Sequence, residues 1–303
     1  MRVAVTGASG LLGSALAPFL RDRGHAVVRL VRRPAKGTDE IRWDPAAGTF
    51  DAAALEGIDA AVNLSGENLA EGRWTEARKV RLRASRVGPT RVLAETLARL
   101  GPKPKVLVSV SAIGYYGDRG DAWLTEAEPP GGDFLARLTA DWEKAAEPAA
   151  AAGIRVVHPR LAMVLSPKGG ALGKMLLPFE AGVGGVLGPG TQYMSWVAID
   201  DVLEAFRHLL ERDDLAGPLN VAAPEAVTNR TFTKTLGRVL GRPTVTWVPA
   251  FALRLAYGEM AEATILSSMR VRSDRLVASG YRFQFPTLEG ALRHVVHSAA
   301  RQS

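Results

Sequence analysis

The chain has 303 residues, of which 47% are hydrophobic and 23% are charged, and its formal net charge is +7. These values are typical of a globular protein and exclude a chain that is disordered throughout. Because there is no cysteine, disulfides, thiolate metal sites and cysteine nucleophiles are excluded. The five scattered histidines leave little for a metal site, and we predict no metal.

The first residues show no targeting or membrane segment. Met1 and Arg2 lead directly into an apolar strand, without the long apolar region and small-residue cleavage site of a signal peptide. No stretch approaches the roughly 18 uninterrupted apolar residues of a membrane-spanning helix. We therefore expect a cytoplasmic protein with no membrane partner.

A strand, a glycine turn and a helix are predicted at the start of the chain. Val3 to Val5 is a short apolar strand, and an apolar-periodic stretch from Leu11 to Leu20 predicts a helix. Between them, Gly7 allows a sharp turn, Gly10 allows backbone N–H groups to approach a pyrophosphate, and Gly13 allows close packing of helix on strand. The helix N-terminus offers further unpaired N–H groups to phosphates. This turn predicts a dinucleotide site; an ordinary glycine-rich turn without a ligand is the alternative.

A second strand, His25 to Val31, ends in two arginines about twenty residues beyond Gly13. An acid at this place would bind the ribose 2′-hydroxyl of NAD, whereas arginine accommodates the 2′-phosphate of NADP. Arg32, nearest the strand end, is the predicted phosphate contact and favours NADP(H). For Arg33, a contact with the 2′-phosphate and a role as a solubilising loop residue are equally good explanations.

The segment from Asp59 to Gly66 predicts another buried strand that ends at the same edge of a parallel sheet. Ligands in such sheets lie beyond the carboxyl ends of the strands, so Leu64 and Ser65 are expected beside the cofactor.

The long helical region from Trp74 to Leu100 is strongly basic, with eight Arg or Lys residues against two acids between Arg73 and Arg99. A nucleic-acid surface is one interpretation. We prefer a solvated helix face with one or two arginines turned inward to phosphate, because no aromatic interleaving accompanies the charges, and we predict no nucleic-acid partner. Gly88-Pro89 is expected to interrupt or restart the helix.

Hydroxyl groups cluster just past the strand predicted at Val106 to Val110. Ser111 and Tyr116 follow the strand end, and both side chains are of the proton-donor type. We hypothesise that Ser111 and Tyr116 orient a carbonyl or hydroxyl of a substrate. The alternative is that both hydroxyls only close the turn between strand and loop.

Helices and strands alternate along the rest of the chain, which predicts an α/β fold with a doubly wound parallel sheet. A glycine-rich region at 166–190, with a short helix near 172–181, suits a lid or substrate-binding insertion. Asp200-Asp201 is predicted as a helix cap. The further predicted elements are helices at 135–152, 202–210, 232–240, 250–257 and 288–296 and strands at 154–158, 195–199 and 219–222.

Several of these motifs together resemble the extended short-chain dehydrogenase/reductases. More closely, the chain resembles the bacterial epimerase-like subgroup, with a C-terminal extension, of the NAD-dependent epimerase/dehydratase family. The motifs that carry the resemblance are Thr6 to Gly13, Trp43-Asp44-Pro45, Asn63 to Asn68, Ser85-Arg86, Ser111 to Gly117, Gly131 to Phe134, Trp142-Glu143, Leu187 to Asp201 and Gly280 to Pro286.

The resemblance implies a Rossmann domain at 1–162, to which 196–222 returns, and a smaller C-terminal α/β substrate lobe at 163–303. It implies NADP(H) as the cofactor and leaves monomer or homodimer open. The implied cofactor contacts are Gly7, Ser9, Gly10, Leu11, Leu12, Gly13, Arg32, Leu64, Ser65 and Arg86.

The chain departs from the wider family at positions that matter for chemistry. Active members use a Tyr-x-x-x-Lys pair, in which the lysine lowers the tyrosine pKa, but Leu135 and Thr139 stand at the two aligned positions. Many members hold a nucleotide-sugar diphosphate with an arginine where this chain has Met194, and the subgroup usually has a histidine at Ala198. These departures argue against a nucleotide-sugar substrate.

Two functional hypotheses remain. The first is an NADP(H)-binding epimerase- or oxidoreductase-like protein acting on an unidentified small or sugar-like molecule. The second is a non-catalytic NADP(H)-binding sensor or scaffold, motivated by the missing Tyr-x-x-x-Lys pair.

Overall fold

The computed structural model describes residues 1–48 and 52–300, with the backbone alone at 298–300. Strands and helices alternate through the first two thirds of the chain. The strands are β1 Arg2–Val5, β2 Ala26–Val31, β3 Glu40–Arg42, β4 Ala60–Asn63, β5 Val106–Ser109, β6 Ser111–Ala112, β7 Trp123–Leu124, β8 Arg155–Leu161, β9 Met163–Leu165, β10 Gly185–Leu187, β11 Tyr193–Met194, β12 Trp196–Ala198, β13 Gly217–Val221, β14 Val227–Thr228, β15 Thr246–Val248 and β16 Arg270–Val271.

Helices cover both faces of the main sheet and surround the smaller strand pairs. The α-helices are α1 Leu11–Asp22, α2 Glu76–Arg99, α3 Phe134–Lys144, α4 Glu147–Ala151, α5 Gly170–Glu180, α6 Ile199–Glu211, α7 Asn229–Leu240, α8 Ala250–Tyr257, α9 Asp274–Ala278 and α10 Leu288–Ala300. Short 3-10 helices occur at Ala52–Leu55 and Ile113–Tyr116, and a π-helical turn occurs at Ala261–Ile265. No helix within the described ranges has the length and apolarity needed to cross a membrane.

The main sheet is parallel and has the strand order β3-β2-β1-β4-β5-β8-β13, with β6 added beside β8. This confirms the predicted doubly wound sheet. The chain winds outward from β1 to β3 and then returns to the other side of β1 at β4, so the order reverses between β1 and β4. A crevice opens beyond the carboxyl ends of strands at such a reversal, and ligands bind there.

Alternating side chains of the buried strands supply two cores, one on each face of the sheet. On β1, Val3 and Val5 join a cluster with residues of α1 and α6, whereas Ala4 joins a cluster with residues of α2 and α4. All three β1 side chains are at most 1% exposed. Burial on both faces explains why the strand is continuously apolar and holds the turn that follows it.

The region after β8 forms a separate apolar cluster, in which α5, α7 and α10 pack around Trp196 and Phe232. Two small strand pairs belong to this region: β10 pairs with β15 in parallel, and β11 pairs with β14 in antiparallel orientation. β13 leaves it and pairs with β8 in the main sheet. The region after β8 therefore forms its own apolar cluster and also contributes a strand to the main sheet.

Three sequence expectations were wrong in detail. α2 is continuous through Gly88-Pro89, because proline removes one helical hydrogen bond while the buried Leu93 and Leu97 still anchor the following turns. The helix expected at 135–152 divides into α3 and α4, since Pro148 at the start of α4 cannot donate to the preceding turn. Asp200-Asp201 is not a cap; α6 begins at Ile199 and both acids lie in its first turn, where the helix dipole favours negative charge.

Candidate functional site

Backbone contacts explain the glycines of the first turn. Gly7 has φ +63°, and an ideal Cβ there would lie 2.5 Å from the carbonyl oxygen of Leu64. A Cβ on Gly13 would lie 2.3 Å from the carbonyl oxygen of Gly7. Any side chain at either position would therefore separate β1 from β4 or α1 from the turn.

No side chain in the described part of the chain caps the N-terminus of α1. Gly10 is the N-cap residue and has no side chain with which to cap the helix, and the first turn contains no acid. Ser9 and Gly10 are exposed, and Leu11 and Leu12 are half-buried. The free N–H groups and the helix dipole at this end suit an anion such as a phosphate.

A buried hydroxyl network fixes the loop after β4 to the end of β1. The Thr6 hydroxyl donates to Asn63 Oδ1 at 2.7 Å and accepts from the Leu64 N–H at 3.0 Å and from the Ser65 hydroxyl at 2.9 Å. Asn63 in turn donates to Thr90 on α2 at 2.7 Å. Leu64 and Ser65 are thus held beside the glycine turn, as expected for residues at the edge of a cofactor crevice.

The two arginines after β2 have different surroundings. Arg33 donates two hydrogen bonds to the Glu40 carboxylate, at 2.7 and 2.5 Å. These bonds, together with the Lys36 N–H and the nearby charge of Arg29, lower the pKa of Glu40 to about 2. Arg32 is exposed and makes no hydrogen bond or ion pair with the residues at 1–48 and 52–300. Arg33 is therefore engaged within the protein, whereas Arg32 is available to a ligand.

Arg86 lies behind the loop that follows β4. Its side chain is buried, donates to the carbonyl oxygens of Glu67 at 2.7 Å and Leu82 at 3.2 Å, and sits 5.3 Å from the centroid of the Trp142 ring. Burial lowers the pKa of Arg86 to about 10. The guanidinium supports the backbone of this loop, and its contact with a cofactor stays a prediction.

Other cations of α2 make ion pairs or hydrogen bonds within the protein. Arg78, which is buried, pairs with Glu67 at 2.5 Å, and Lys79 pairs with Glu259 of the C-terminal region at 2.5 Å. Arg83 pairs with Asp141 on α3. The basic segment thus ties the loop after β4, α3 and the region around Glu259 together. Two of its arginines, Arg78 and Arg86, are buried against groups of the protein, and a contact of either with a phosphate stays a prediction.

Ser111 and Tyr116 lie in a buried polar cluster. Ser111 donates to Glu143 at 2.5 Å, and the same carboxylate accepts two hydrogen bonds of 2.8 Å from Arg160. The Tyr116 hydroxyl donates to Asn220 at 2.6 Å and accepts from Arg160 at 3.1 Å. Ser111 is 2% exposed and Tyr116 is 0% exposed. Both hydroxyls are therefore already partnered within the protein.

The charges of this cluster stabilise each other. Burial opposes the charged form of Arg160, but hydrogen bonds to Glu143 and the charge of that acid raise the pKa of Arg160 above its ordinary value. Burial also raises the pKa of Tyr116, so its hydroxyl stays protonated at neutral pH. Glu143 and Arg160 were not identified from the sequence as a pair, although Trp142-Glu143 was noted as a motif.

The positions aligned with the family's tyrosine and lysine are occupied by packed side chains. Leu135 is 5% exposed and lies against Gly114, where an ideal Cβ would be 2.7 Å from Leu135 Cδ2. The Thr139 hydroxyl donates to the Leu135 carbonyl at 2.7 Å. Leucine carries no titratable group, and the Thr139 hydroxyl is already engaged in an internal hydrogen bond.

Met194 is the residue at which the resemblance implies a diphosphate-binding arginine in many family members. Its sulfur accepts a hydrogen bond from Asn229 Nδ2 at 3.3 Å. Gln192, two residues earlier, is buried and donates to the carbonyl oxygens of Leu187 and Ile265 at 2.9 and 3.1 Å. The thioether of Met194 is uncharged and cannot form an ion pair with a diphosphate.

The parallel sheet, its glycine turn and the uncapped α1 define a dinucleotide-binding protein of the short-chain dehydrogenase/reductase type. Comparison with known families makes this more specific: the chain belongs to the NAD dependent epimerase/dehydratase family, which matches residues 3–222. Residues 248–295 match a domain of unknown function, DUF1731. The family resemblance seen in the sequence is thereby confirmed.

Individual relatives cover nearly the whole chain. Epimerase family protein Mb2239 of Mycobacterium bovis is 43% identical over 290 residues, which are 96% of this chain and 96% of that protein. The crystal structure of human epimerase family protein SDR39U1 with NADPH has a TM-score of 0.91 and 35% identity, covering 98% of this chain and 99% of that one. A nucleoside-diphosphate sugar epimerase from Corynebacterium glutamicum has a TM-score of 0.80 and 34% identity, covering 100% of this chain and 60% of the other.

Proposed function

We propose that this protein binds NADP(H) and acts as an epimerase- or oxidoreductase-like protein on a small or sugar-like molecule. The observation that carries the proposal is the free Arg32 at the end of β2, beside a glycine turn and an uncapped helix N-terminus. The human relative crystallised with NADPH supports the same cofactor.

The residues of the crevice fit the parts of this cofactor. Gly7, Ser9, Gly10, Leu11, Leu12 and Gly13 would hold the diphosphate through the backbone, because the turn brings free N–H groups together without side chains. Arg32 would bind the 2′-phosphate, and Leu64 and Ser65 would line the crevice, with Arg86 supporting them. When bound, a nicotinamide cofactor supplies hydride-transfer chemistry.

The proposal assigns cofactor binding to 1–162 with the returning segment 196–222, and substrate binding to the lobe at 163–303. The thioether of Met194 and the partnered Gln192 favour a substrate without a diphosphate. The Corynebacterium relative is named a nucleoside-diphosphate sugar epimerase. In this chain, however, Met194 and Gln192 offer no charge to a diphosphate, which argues for a smaller, less charged substrate.

For Ser111 and Tyr116 the surrounding hydrogen bonds favour a positioning role. Glu143 accepts a hydrogen bond from Ser111 and Arg160 donates one to Tyr116, which supports a role for these hydroxyls in fixing the segment after β5. A direct contact of either hydroxyl with a substrate carbonyl or hydroxyl requires it to exchange one of these bonds.

Calorimetric titration of NADPH and NADH into the protein tests the cofactor assignment. We expect NADPH to bind at least roughly tenfold more tightly, since a charge-assisted phosphate contact contributes about 1.5–3 kcal/mol. Binding of neither dinucleotide, or tighter binding of NADH, would refute the proposal.

A second candidate function is a non-catalytic NADP(H)-binding sensor or scaffold. It is favoured by the apolar packing of Leu135 and the internal hydrogen bond of Thr139, which leave the family's acid/base positions without a proton donor. A screen of carbonyl and alcohol classes that follows NADPH absorbance separates the two functions. Turnover of any class supports the enzyme, and a blank across all classes supports the sensor.

The proposal also places the protein in the cytoplasm, as a monomer or homodimer. The cysteine-free composition suits a reducing compartment. Fractionation of cells and size-exclusion chromatography with light scattering test these two points.

A further inference from the structure

A groove of about 280 Å³ lies against the N-terminus of α1. It is lined by residues of the segment around α1 and by residues that follow β9. Ser9, Gly10 and Leu11 line it from the glycine turn, and Ser166 and Lys168 line it from the segment after β9. The groove is thus the place where the expected phosphate site meets the C-terminal lobe.

The segment from Ser166 to Gly170 is packed directly on the glycine turn. An ideal Cβ on Gly169 would lie 3.5 Å from Leu11 Cδ1, and one on Gly170, which has φ +68°, would lie 3.4 Å from Leu11 Cδ2. Ser166 is 1% exposed, and its hydroxyl accepts the Lys168 N–H at 3.3 Å. These contacts fix the backbone of Lys168 beside the turn.

Electrostatics at this groove favour an anion. α1 and α5 both begin here, each with a glycine as the N-cap residue and no acid in the first turn. The Lys168 side chain is exposed, and its ammonium makes no hydrogen bond or ion pair across the described part of the chain. Among the described residues that line the groove, Lys168 is the only charged one, and the positive end of the α1 dipole lies beside it.

We propose that Lys168 binds the diphosphate of the dinucleotide at the N-terminus of α1, so that the C-terminal lobe contributes a cation to the cofactor site. The inference rests on the proposed function and adds a contact from the opposite side of the crevice. It differs from the role of Arg32, because the diphosphate is common to NADPH and NADH whereas the 2′-phosphate is not.

This difference defines the experiment. Dissociation constants of NADPH and NADH are measured by calorimetry for the wild type, Lys168→Met and Lys168→Arg. Lys103→Met is the matched control, since Lys103 is exposed and precedes β5, at the amino ends of the parallel strands. The midpoint of thermal unfolding without ligand is measured for each variant to verify that it folds.

We expect Lys168→Met to weaken NADPH and NADH by the same factor, roughly tenfold. Lys168→Arg keeps the charge and should remain within about threefold of the wild type, and Lys103→Met should not change either constant. The loss in Lys168→Met should shrink at high salt, because an exposed ionic contact is screened.

Two results would overturn the inference while leaving the cofactor assignment intact. Unchanged constants in Lys168→Met would show that the ammonium does not contact the dinucleotide. A loss confined to NADPH would assign Lys168 to the 2′-phosphate instead of the diphosphate. If the wild type bound neither dinucleotide, the proposed function would be wrong and this inference with it.

Discussion

Replacement of Gly13 by alanine tests the geometry of the glycine turn. The new Cβ would lie 2.3 Å from the Gly7 carbonyl oxygen and 2.6 Å from Ala8 Cα, so α1 must shift by about 1 Å to reach ordinary contact distances. Overpacking of this kind costs about 1–3 kcal/mol, and the better helix propensity of alanine offsets up to about 1 kcal/mol. The expected net destabilisation is about 1–2 kcal/mol.

Both stability and binding report on this change. The midpoint of thermal unfolding should fall by roughly 1.5–3 °C, and NADPH affinity should fall by at least about tenfold because the N–H groups of α1 move away from the diphosphate. Gly132→Ala is the matched control, since a Cβ there meets no atom within 4 Å. If Gly13→Ala unfolded at or above the wild-type temperature and bound NADPH normally, the close packing of α1 on the turn would not matter as we argue.

Three further predictions concern single side chains. Arg32→Ala should lower NADPH affinity roughly 10- to 100-fold and leave NADH affinity nearly unchanged. Arg33→Ala, which breaks the pair with Glu40, should change the ratio of the NADPH and NADH affinities much less. Calorimetry measures the two affinities for each variant. Tyr116→Phe should destabilise the fold by about 1–3 kcal/mol in urea, because a buried hydrogen bond is lost at Asn220. Burial lowers the pKa of His158 below its ordinary 6.5, so below about pH 6.5 the unfolded chain binds a proton that the folded chain does not. The free energy of unfolding should therefore fall as the pH drops, by at most ~1.4 kcal/mol per pH unit. His158→Gln should flatten this part of the curve of unfolding free energy against pH.

Each of these predictions has a contrary result. A larger change of the NADPH to NADH ratio in Arg33→Ala than in Arg32→Ala would reverse the assignment of the two arginines. An unaltered urea midpoint in Tyr116→Phe would show that its hydroxyl is not a structural partner. His208, whose pKa burial also lowers, contributes in the same direction, so only an unchanged slope in His158→Gln contradicts the third prediction.

The glycine turn could be predicted from the sequence because its requirements are local. The positive φ of Gly7 and the close approach at Gly13 each exclude a side chain, and this constraint is visible in the spacing of the residues alone. The buried strands around it were also predictable, since continuous apolar runs such as Val3 to Val5 suit only a sheet covered on both faces.

Helix boundaries depended on contacts that the sequence does not display. Gly88-Pro89 was expected to interrupt its helix, yet Pro89 lies inside α2, whereas the helix expected to be continuous at 135–152 divides near Pro148. The difference comes from packing: the turns after Pro89 bury Leu93 and Leu97 against the sheet, and a lost hydrogen bond costs less than that burial.

The site was predicted in its backbone and not in its ion pairs. Arg33 and Glu40 meet because β3 pairs with β2, and β3 was not among the predicted strands. Lys168 lines the groove at the glycine turn, where Gly169 and Gly170 pack against Leu11. The second contact joins segments far apart in the chain, and no periodicity or spacing indicates either contact.

A crystal structure of the protein with NADPH tests the central claim most directly. We predict density for the dinucleotide in the crevice, with its diphosphate at the N-terminus of α1 and its 2′-phosphate within hydrogen-bond distance of Arg32. Density at another surface, or a 2′-phosphate held by residues other than Arg32, would contradict this account.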